Sequence, residues 1–351
     1  MNRRQFLRSA AGVFVAASLG AASLYRYLTR SSSEETGAAA GPAGSPSPSP
    51  APASPTPTPT PQGPGKLVAS LWLLSDLHIT TYDPSTSDKL KKALADTQKP
   101  ETPADAIVLG GDLTDYGMES DYRQLRTVLN GFKLPPVYAN MGNHDYYDIW
   151  INSAGAFATE TKPNGKTDAQ SRERFMSFLK LEKPYSQFDA NGIPVFLLSQ
   201  EAYQQEKPEV GEGAWYSDAQ LAWLKDGLAR APKGGPIVVM IHQPLPPVGS
   251  DGATHRVIRA NELRDILAPY PNVFVFSGHT HRDFNSENHY QQHATFHWFT
   301  NSTVGRLRTT GLSQGMYIQL YEREIHVRGR EFGDGTWIAS ADWTIPYTAG
   351  G

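Results

Sequence analysis

Short apolar runs alternate with longer amphipathic stretches from about residue 67 to residue 281, and that alternation predicts an α/β fold. Strands are expected at 67–74, 106–109, 137–140, 195–198, 237–241 and 273–276, which are short and mostly apolar runs. Helical spacing falls between them, at 88–97, 120–130, 171–180, 217–230 and 261–267. The clearest helix start is Ser217, set three residues before Gln220 in capping-box spacing, with Leu221, Leu224 and Leu228 as the apolar stripe. Beyond Thr295 the pattern turns to strands, among them 316–321 and 324–329, joined by a tight turn near Glu322 and Arg323. Residues 149–170 show little periodicity and read as a long functional loop rather than a second domain.

The pattern does not reach the N-terminus. Ten prolines fall between Pro42 and Pro64, in a stretch with no charged and no large apolar residue. Such a segment cannot bury a core, so residues 37–65 read as an extended linker and residues 66–351 as one folded unit. Hydrophobic residues make up 39% of the chain and charged residues 19%, which excludes a uniformly charged or fibrous protein. Residues 1–36 carry a net charge of +3 and the whole chain −3, which leaves −6 on the folded part. That mildly acidic unit has no general field for nucleic acid or an anionic membrane, so no nucleic-acid polymer is expected as a partner. The absence of cysteine removes disulfides, thiol catalysis and thiolate zinc sites, and leaves His, Asp, Asn and Glu as metal ligands.

Residues 2–8 read NRRQFLR and precede an uncharged run from Ser9 to Tyr25. The Arg3-Arg4 pair, the following Phe6-Leu7 and the basic Arg8 resemble a twin-arginine export signal, with Asn2 where Ser or Thr is more usual. An ordinary secretory signal and an uncleaved membrane anchor are the other readings. A spanning helix is less favoured, because seventeen Ala- and Gly-rich residues are short for a hydrocarbon core of about 30 Å. The resemblance implies an exported protein of the cell envelope or exterior and the twin-arginine machinery as a partner. Membrane contact would come only through residues 1–36.

Five of the expected strands run directly into metal-binding residue types. They give Ser75-Asp76-Leu77-His78, Gly110-Gly111-Asp112, Gly142-Asn143-His144-Asp145, Ile241-His242-Gln243 and Ser277-Gly278-His279-Thr280-His281. Ligands of an open α/β sheet gather at the carboxyl ends of its strands, so these loops are expected to converge. Each fragment alone is common, whereas the ordered set of five is highly specific. It resembles the calcineurin-like metallophosphoesterases over most of the folded region.

The resemblance implies a four-layer αββα sandwich, two mixed sheets flanked by helices in a single catalytic domain. It also implies two divalent ions, of manganese, iron or zinc type. One would be held by Asp76, His78, Asp112 and His281, the other by Asp112, Asn143, His242 and His279. Two cations about 3.5–4 Å apart repel each other, and a bridging carboxylate such as Asp112 neutralises and spaces them. Asn143 adds a neutral oxygen that keeps the centre from repelling phosphate. A hydroxide bridging the ions would attack phosphorus, and His144 would protonate the leaving group as general acid, with Asp145 fixing its tautomer.

The string at 111–115 and the two glycine-led histidine motifs look most like the phosphodiesterase branch that includes class III cyclic-nucleotide enzymes. Purple acid phosphatases carry Tyr where Asp115 stands. A small-molecule or lipid phosphoester is the implied substrate, with a diesterase favoured over a monoesterase. His255, Arg256, Arg282 and Tyr146 are the candidate substrate contacts. His289, His293 and His297 lie four apart, but the β-rich sequence around them argues against a further metal site. No His-Glu-x-x-His motif supports a metalloprotease. The non-enzymatic alternative is a metal-dependent scaffold or binding module on the same fold.

Overall fold

In chain order the protein, described by a computed structural model over residues 63–348 apart from 163, 287, 294 and 310, forms β1 (Leu67–Leu74), α1 (Pro84–Asp96), β2 (Ala106–Gly110), α2 (Glu119–Asn130) and β3 (Val137–Asn140). There follow α3 (Asp168–Leu179), β4 (Ser186–Ala190), β5 (Ile193–Leu197), α4 (Asp218–Arg230), β6 (Ile237–Met240), α5 (Ala260–Leu267) and β7 (Val273–Ser277). The chain ends in β8 (Tyr290–Gln292), β9 (His297–Thr300), β10 (Gln314–Tyr321), β11 (Glu324–Glu331) and β12 (Thr336–Pro346). The expected export signal (1–36) and nearly all of the expected linker (37–65) lie outside the described residues. Among the described residues no helix is long and apolar enough to cross a membrane.

β1 explains the layering. Its Ala69, Leu71 and Leu73 enter one apolar cluster while Trp72 and Leu74 enter another, so the strand is buried on both faces and its sheet must be covered on both sides. That sheet has the order β12-β11-β10-β1-β2-β3, with β1, β2 and β3 parallel and β10, β11 and β12 joined in antiparallel fashion. The second sheet runs β4-β5-β6-β7-β9-β8, parallel from β5 through β9 and antiparallel at both edges. Leu71, Leu73 and Val108 meet Val195, Val238, Met240, Phe274 and Phe276 between the sheets. α1, α2 and α3 cover the outer face of the first sheet through Leu90, Leu94, Leu125 and Phe175. α4 and α5 cover the second through Leu221, Leu224, Leu228, Leu263 and Leu267. The result is the expected pair of mixed sheets flanked by helices.

Two local expectations are corrected, and β12 follows a pattern the sequence does not announce. At Ser217 only half of the capping box forms: its Oγ accepts from Gln220 N at 3.1 Å, but the Gln220 side chain turns to Ser199 and Glu201, and Ser217 N donates to Glu201 instead. The complete box lies at Thr167 and Gln170 and starts α3 three residues before the expected helix, so the irregular segment is shorter than 149–170. β12 has no strict alternation because its ladder with β11 slips between Arg328 and Gly329, which puts Ile338, Ala341 and Ile345 inward at uneven spacing.

Candidate metal centre and catalytic cleft

The five motif loops leave the carboxyl ends of β1, β2, β3, β6 and β7, and the two sheets bring those ends together. Backbone conformation then aims the side chains. Asp76, His78, Asp112, His279 and His281 all have positive φ, from 47° to 70°. Non-glycine residues adopt this left-handed region at a cost of about 1 kcal/mol or more each, so its concentration here marks a site held by the surrounding structure. Gly278 is required by crowding: a Cβ there would lie 2.5 Å from Asp76 Oδ2 and 2.8 Å from Ser75 Oγ. At Gly142 a Cβ would press on Asp112 and His242.

Three groups of donor atoms result, and His78, Asp115 and His144 form the one without Asp112. Asp76, His78, Asp112 and His281 offer atoms all within 4.8 Å of one another, as do Asp112, His242 and His279, so Asp112 belongs to both. His281 Nε2 lies 3.1 Å from Asp76 Oδ1 and 2.9 Å from His78 Nε2, and His242 Nε2 lies 3.0 Å from Asp112 Oδ2. His78 Nδ1 faces Asp115 Oδ1 at 3.1 Å and His242 Nδ1 faces the Gly110 carbonyl at 2.9 Å. Those partners fix the Nδ1–H tautomers and leave both Nε2 lone pairs aimed at the centre. Asp112 Oδ2, His242 Nε2 and His279 Nδ1 are buried without a hydrogen-bond partner. Buried imidazole nitrogens and carboxylate oxygens crowded against one another are complemented by cations, and this His and Asp set suits divalent metals of borderline softness. The residues therefore fit the implied ions. Without them, burial drives His78 down to about 4 and His279 down to about 3, whereas at His242 the Asp112 and Asp76 carboxylates outweigh burial and lift it to about 9.

Asn143 lies in the turn after β3, buried at the edge of the second group. Its Nδ2 donates to Glu212 Oε2 at 2.8 Å, which orients the amide and leaves Oδ1 with only a 3.4 Å contact from Gln243. Glu212 also accepts from the hydroxyls of Tyr147 and Tyr203. Nothing in the local sequence flags Glu212, since it approaches from a loop 69 residues away.

His144 donates its backbone N–H to Asp112 Oδ1 at 2.9 Å. Its Nδ1 lies 3.0 Å from the Asp115 carbonyl and 3.4 Å from Asp115 Oδ1, so Nδ1 carries the proton toward Asp115 and Nε2 is left for the cleft. Burial lowers its basicity, but the Asp112 and Asp115 carboxylates outweigh this and raise it. The expected partnership with Asp145 is corrected. Asp145 accepts from Leu113 N, Thr114 N, Thr114 Oγ1, Gly142 N and Tyr122 OH, and so staples two loops instead of touching the His144 ring. Asp115 takes that place and also pairs with Arg306 at 2.5 Å. Its signal was its position three residues after Asp112, on the same loop as a ligand.

The cleft over the centre encloses about 440 Å³, lined by His144, Tyr147, His255, Arg256, Arg282 and Arg308 beside Asp112, Asn143, His279 and His281. His255, Arg256 and Arg282 thus lie where substrate contacts were expected, and His255 Nδ1 lies 3.0 Å from His279 Nε2. Tyr146 does not: it is fully buried and its hydroxyl donates to Gln200 O at 2.7 Å. The next residue, Tyr147, stacks on His144 with ring centroids 4.0 Å apart. His289 is buried against two backbone carbonyls and His297 lies in β9, and neither they nor His293 joins a metal-binding group among the described residues.

A solved purple acid phosphatase, PPD1 of yellow lupin (Lupinus luteus), superposes with a TM-score of 0.54 at 13% identity, covering 80% of this chain and 54% of its own, a likeness of fold. Among curated proteins, the 3',5'-cyclic adenosine monophosphate phosphodiesterase CpdA of Haemophilus influenzae is 26% identical over 60% of this chain and 67% of its own length. The Escherichia coli K12 protein of the same name is 25% identical over 52% of this chain and 56% of its own. A probable cyclic nucleotide phosphodiesterase of Rhodococcus erythropolis is 25% identical over 59% of this chain and 63% of its own, so the chain spans between about half and two thirds of these relatives. Residues 69–283, which carry every motif loop, match the profile of the calcineurin-like phosphoesterases, and the chain belongs to that family.

Proposed function

We propose that the protein is an exported, dinuclear metal-dependent phosphodiesterase. The observation that carries this reading is the sharing of Asp112 between two donor groups directly below His144. Asp76, His78, Asp112 and His281 would hold one divalent ion, and Asp112, Asn143, His242 and His279 the other. When bound, such ions polarise the phosphoryl oxygens and lower the pKa of water into the neutral range. The chain's own residues do the rest. Arg256, Arg282 and His255 line the mouth and would draw an anionic ester onto the centre. As the bond from phosphorus to the leaving oxygen breaks, His144 gives that oxygen its Nε2 proton, while the Asp115 contact at Nδ1 holds the ring. Water adds its oxygen to phosphorus and, across the cycle, returns one proton to His144, so a diester and water give a monoester and an alcohol. The names of the cyclic-nucleotide phosphodiesterase relatives support diesters over monoesters. The Arg3-Arg4 motif supports export.

The test is reconstitution of metal-free protein with Mn²⁺, with metal counting beside hydrolysis of bis(p-nitrophenyl) phosphate and p-nitrophenyl phosphate. Two ions per chain and faster turnover of the diester are expected. Two bound ions with neither ester hydrolysed would overturn the enzymatic reading in favour of a binding module. His144→Ala should lower turnover of esters with poor leaving groups by about 10²–10⁴-fold while retaining both ions.

A further inference from the structure

Beside the cleft the chain forms a second, smaller hollow of about 120 Å³. Arg256, Thr280 and Arg282 line both spaces, so the two adjoin and one molecule can reach from the metal-binding centre into the smaller one. The remaining walls come from the loop after β6, from residues 288 and 289, and from β8 and β9. None of the residues grouped for metal binding lines it.

The lining is chemically one-sided. Two guanidiniums stand with the polar side chains of Asn288, Gln291 and Thr300, and none of the described lining residues is acidic. Arg256 is half-buried, and burial followed by the Arg282 guanidinium holds it below its ordinary value, so the two like charges act on each other. Like charges held close cost free energy, which an anion beside both offsets. Thr280 Oγ1 is buried without a hydrogen-bond partner, a donor that the fold itself leaves unused. The back wall is fixed. Trp298 Nε1 donates to Ser277 Oγ at 3.2 Å, and the His289 ring nitrogens face the backbone carbonyls of Thr300 at 2.7 Å and Asp283 at 3.0 Å. A small, polar hollow rimmed by two guanidinium forks suits an anionic group.

We propose that this hollow binds a second phosphate group, carried by the same molecule whose phosphoester lies on the metal-binding centre, so that the protein selects ligands with two phosphates a few bonds apart. The inference deepens the reading above and rests on it only in placing a phosphoester at the centre. Charge and shape favour phosphate over carboxylate. A phosphate monoester carries about −1.5 to −2 near neutral pH and offers three acceptor oxygens, which match two guanidiniums and a hydroxyl. A carboxylate brings a single charge and two oxygens. A simple diester, with one anionic group, would occupy the cleft alone.

The experiment measures Kd by titration calorimetry on the full Mn²⁺-loaded protein, with free Mn²⁺ held constant. The ligands are propane-1,3-diphosphonate and pentane-1,5-diphosphonate, against propylphosphonate, which lacks the second group; none of them has an ester to hydrolyse. Turnover of bis(p-nitrophenyl) phosphate is followed in parallel. At least one diphosphonate should bind about tenfold or more tightly than propylphosphonate, as one charge-assisted contact provides. R256Q and R282Q should each shrink that ratio. Q291E, which sets a carboxylate on the exposed edge strand that lines the hollow, should bring it near one. A ratio near one in the wild type overturns the second site. So does a ratio that all these substitutions leave unchanged, since both phosphonates would then lie on the metal ions. If the diphosphonate is preferred but no diester is hydrolysed, the site stands and the enzymatic reading fails. If the diester is hydrolysed without that preference, the site fails and the phosphodiesterase reading stands. If no phosphonate binds and no diester is hydrolysed, both fail.

Discussion

Two buried carboxylates each face an arginine, and they are used in opposite ways. Asp96, in the last turn of α1, and Arg330, on β11, are each only 4% exposed, and they meet as a fork with contacts of 2.7 and 3.1 Å. Lys99 closes on the same carboxylate, and the guanidinium lies 4.5 Å from the Trp337 ring. Every partner there is a fixed charge. Asp115 is fully buried, but its Oδ1 is divided between His78 and His144, and its Arg306 partner has a side chain 39% exposed. A carboxylate saturated by fixed cations fastens a helix to a sheet. One divided between two titratable rings and a solvent-reachable arginine instead sets which nitrogen of each ring points into the cleft.

The largest expected effect separates the pairs by stability. Asp96→Ala leaves a buried guanidinium without its carboxylate and should cost about 3–5 kcal/mol in urea unfolding of the metal-free protein, without changing the metal count of the folded fraction. A cost under about 1 kcal/mol would show the fork to be screened like a surface pair and would dissolve the contrast. Asp115→Asn should do the reverse. Metal affinity or turnover should fall about 10- to 100-fold while the unfolding midpoint of the metal-free protein barely moves. Mn²⁺ titration with unfolding as readout checks this, since bound metal adds about 4 kcal/mol at a thousandfold excess over Kd. The increment should shrink in Asp115→Asn and persist in Asp96→Ala.

The same contrast explains what could be read from sequence. β2, β6 and β7 are legible because strands inside a covered sheet are nearly continuous apolar runs, and the ligands are legible because they sit at the ends of such runs. β12 is hidden by its bulge, and β4 by a polar outer face in the run Ser186–Ala190. Asp145 is adjacent to His144 in sequence, but adjacency in sequence is not adjacency in space. The short 3₁₀ turn His144–Trp150 rotates successive residues by about 120°, which sends Asp145 back into the loops, Tyr146 into the core and Tyr147 to the cleft. The true partner, Asp115, lies 29 residues earlier, a relation that only the pairing of β2 with β3 creates.

Acid provides a smaller test. Burial pushes Asp96 upward, but Arg330 and Lys99 outweigh it and hold the carboxyl below its ordinary value of 3.8. Its folded value therefore lies below its unfolded one. The ionised pair contributes its stability in full above about pH 4, and that contribution is lost as pH falls through the folded value. Unfolding curves of the wild type and Asp96→Asn should be furthest apart near neutrality and draw together below about pH 4. A gap that stays constant down to pH 3 would mean that packing against Trp337, not charge, fastens α1 to β11.

Arg306→Gln should have the smallest effect and divides the Asp115 site most finely. Because the arginine is partly in water, its removal should cost no more than about 1 kcal/mol of stability. Asp115 would keep its contacts with His78 and His144, so metal affinity should stay within about threefold of the wild type if those two rings define its role. A loss as large as that of Asp115→Asn would instead assign the ordering of both histidines to the arginine, acting through the carboxylate. Measured beside Asp115→Asn, the single change decides whether the carboxylate is held in place from the solvent side or by the rings it orients.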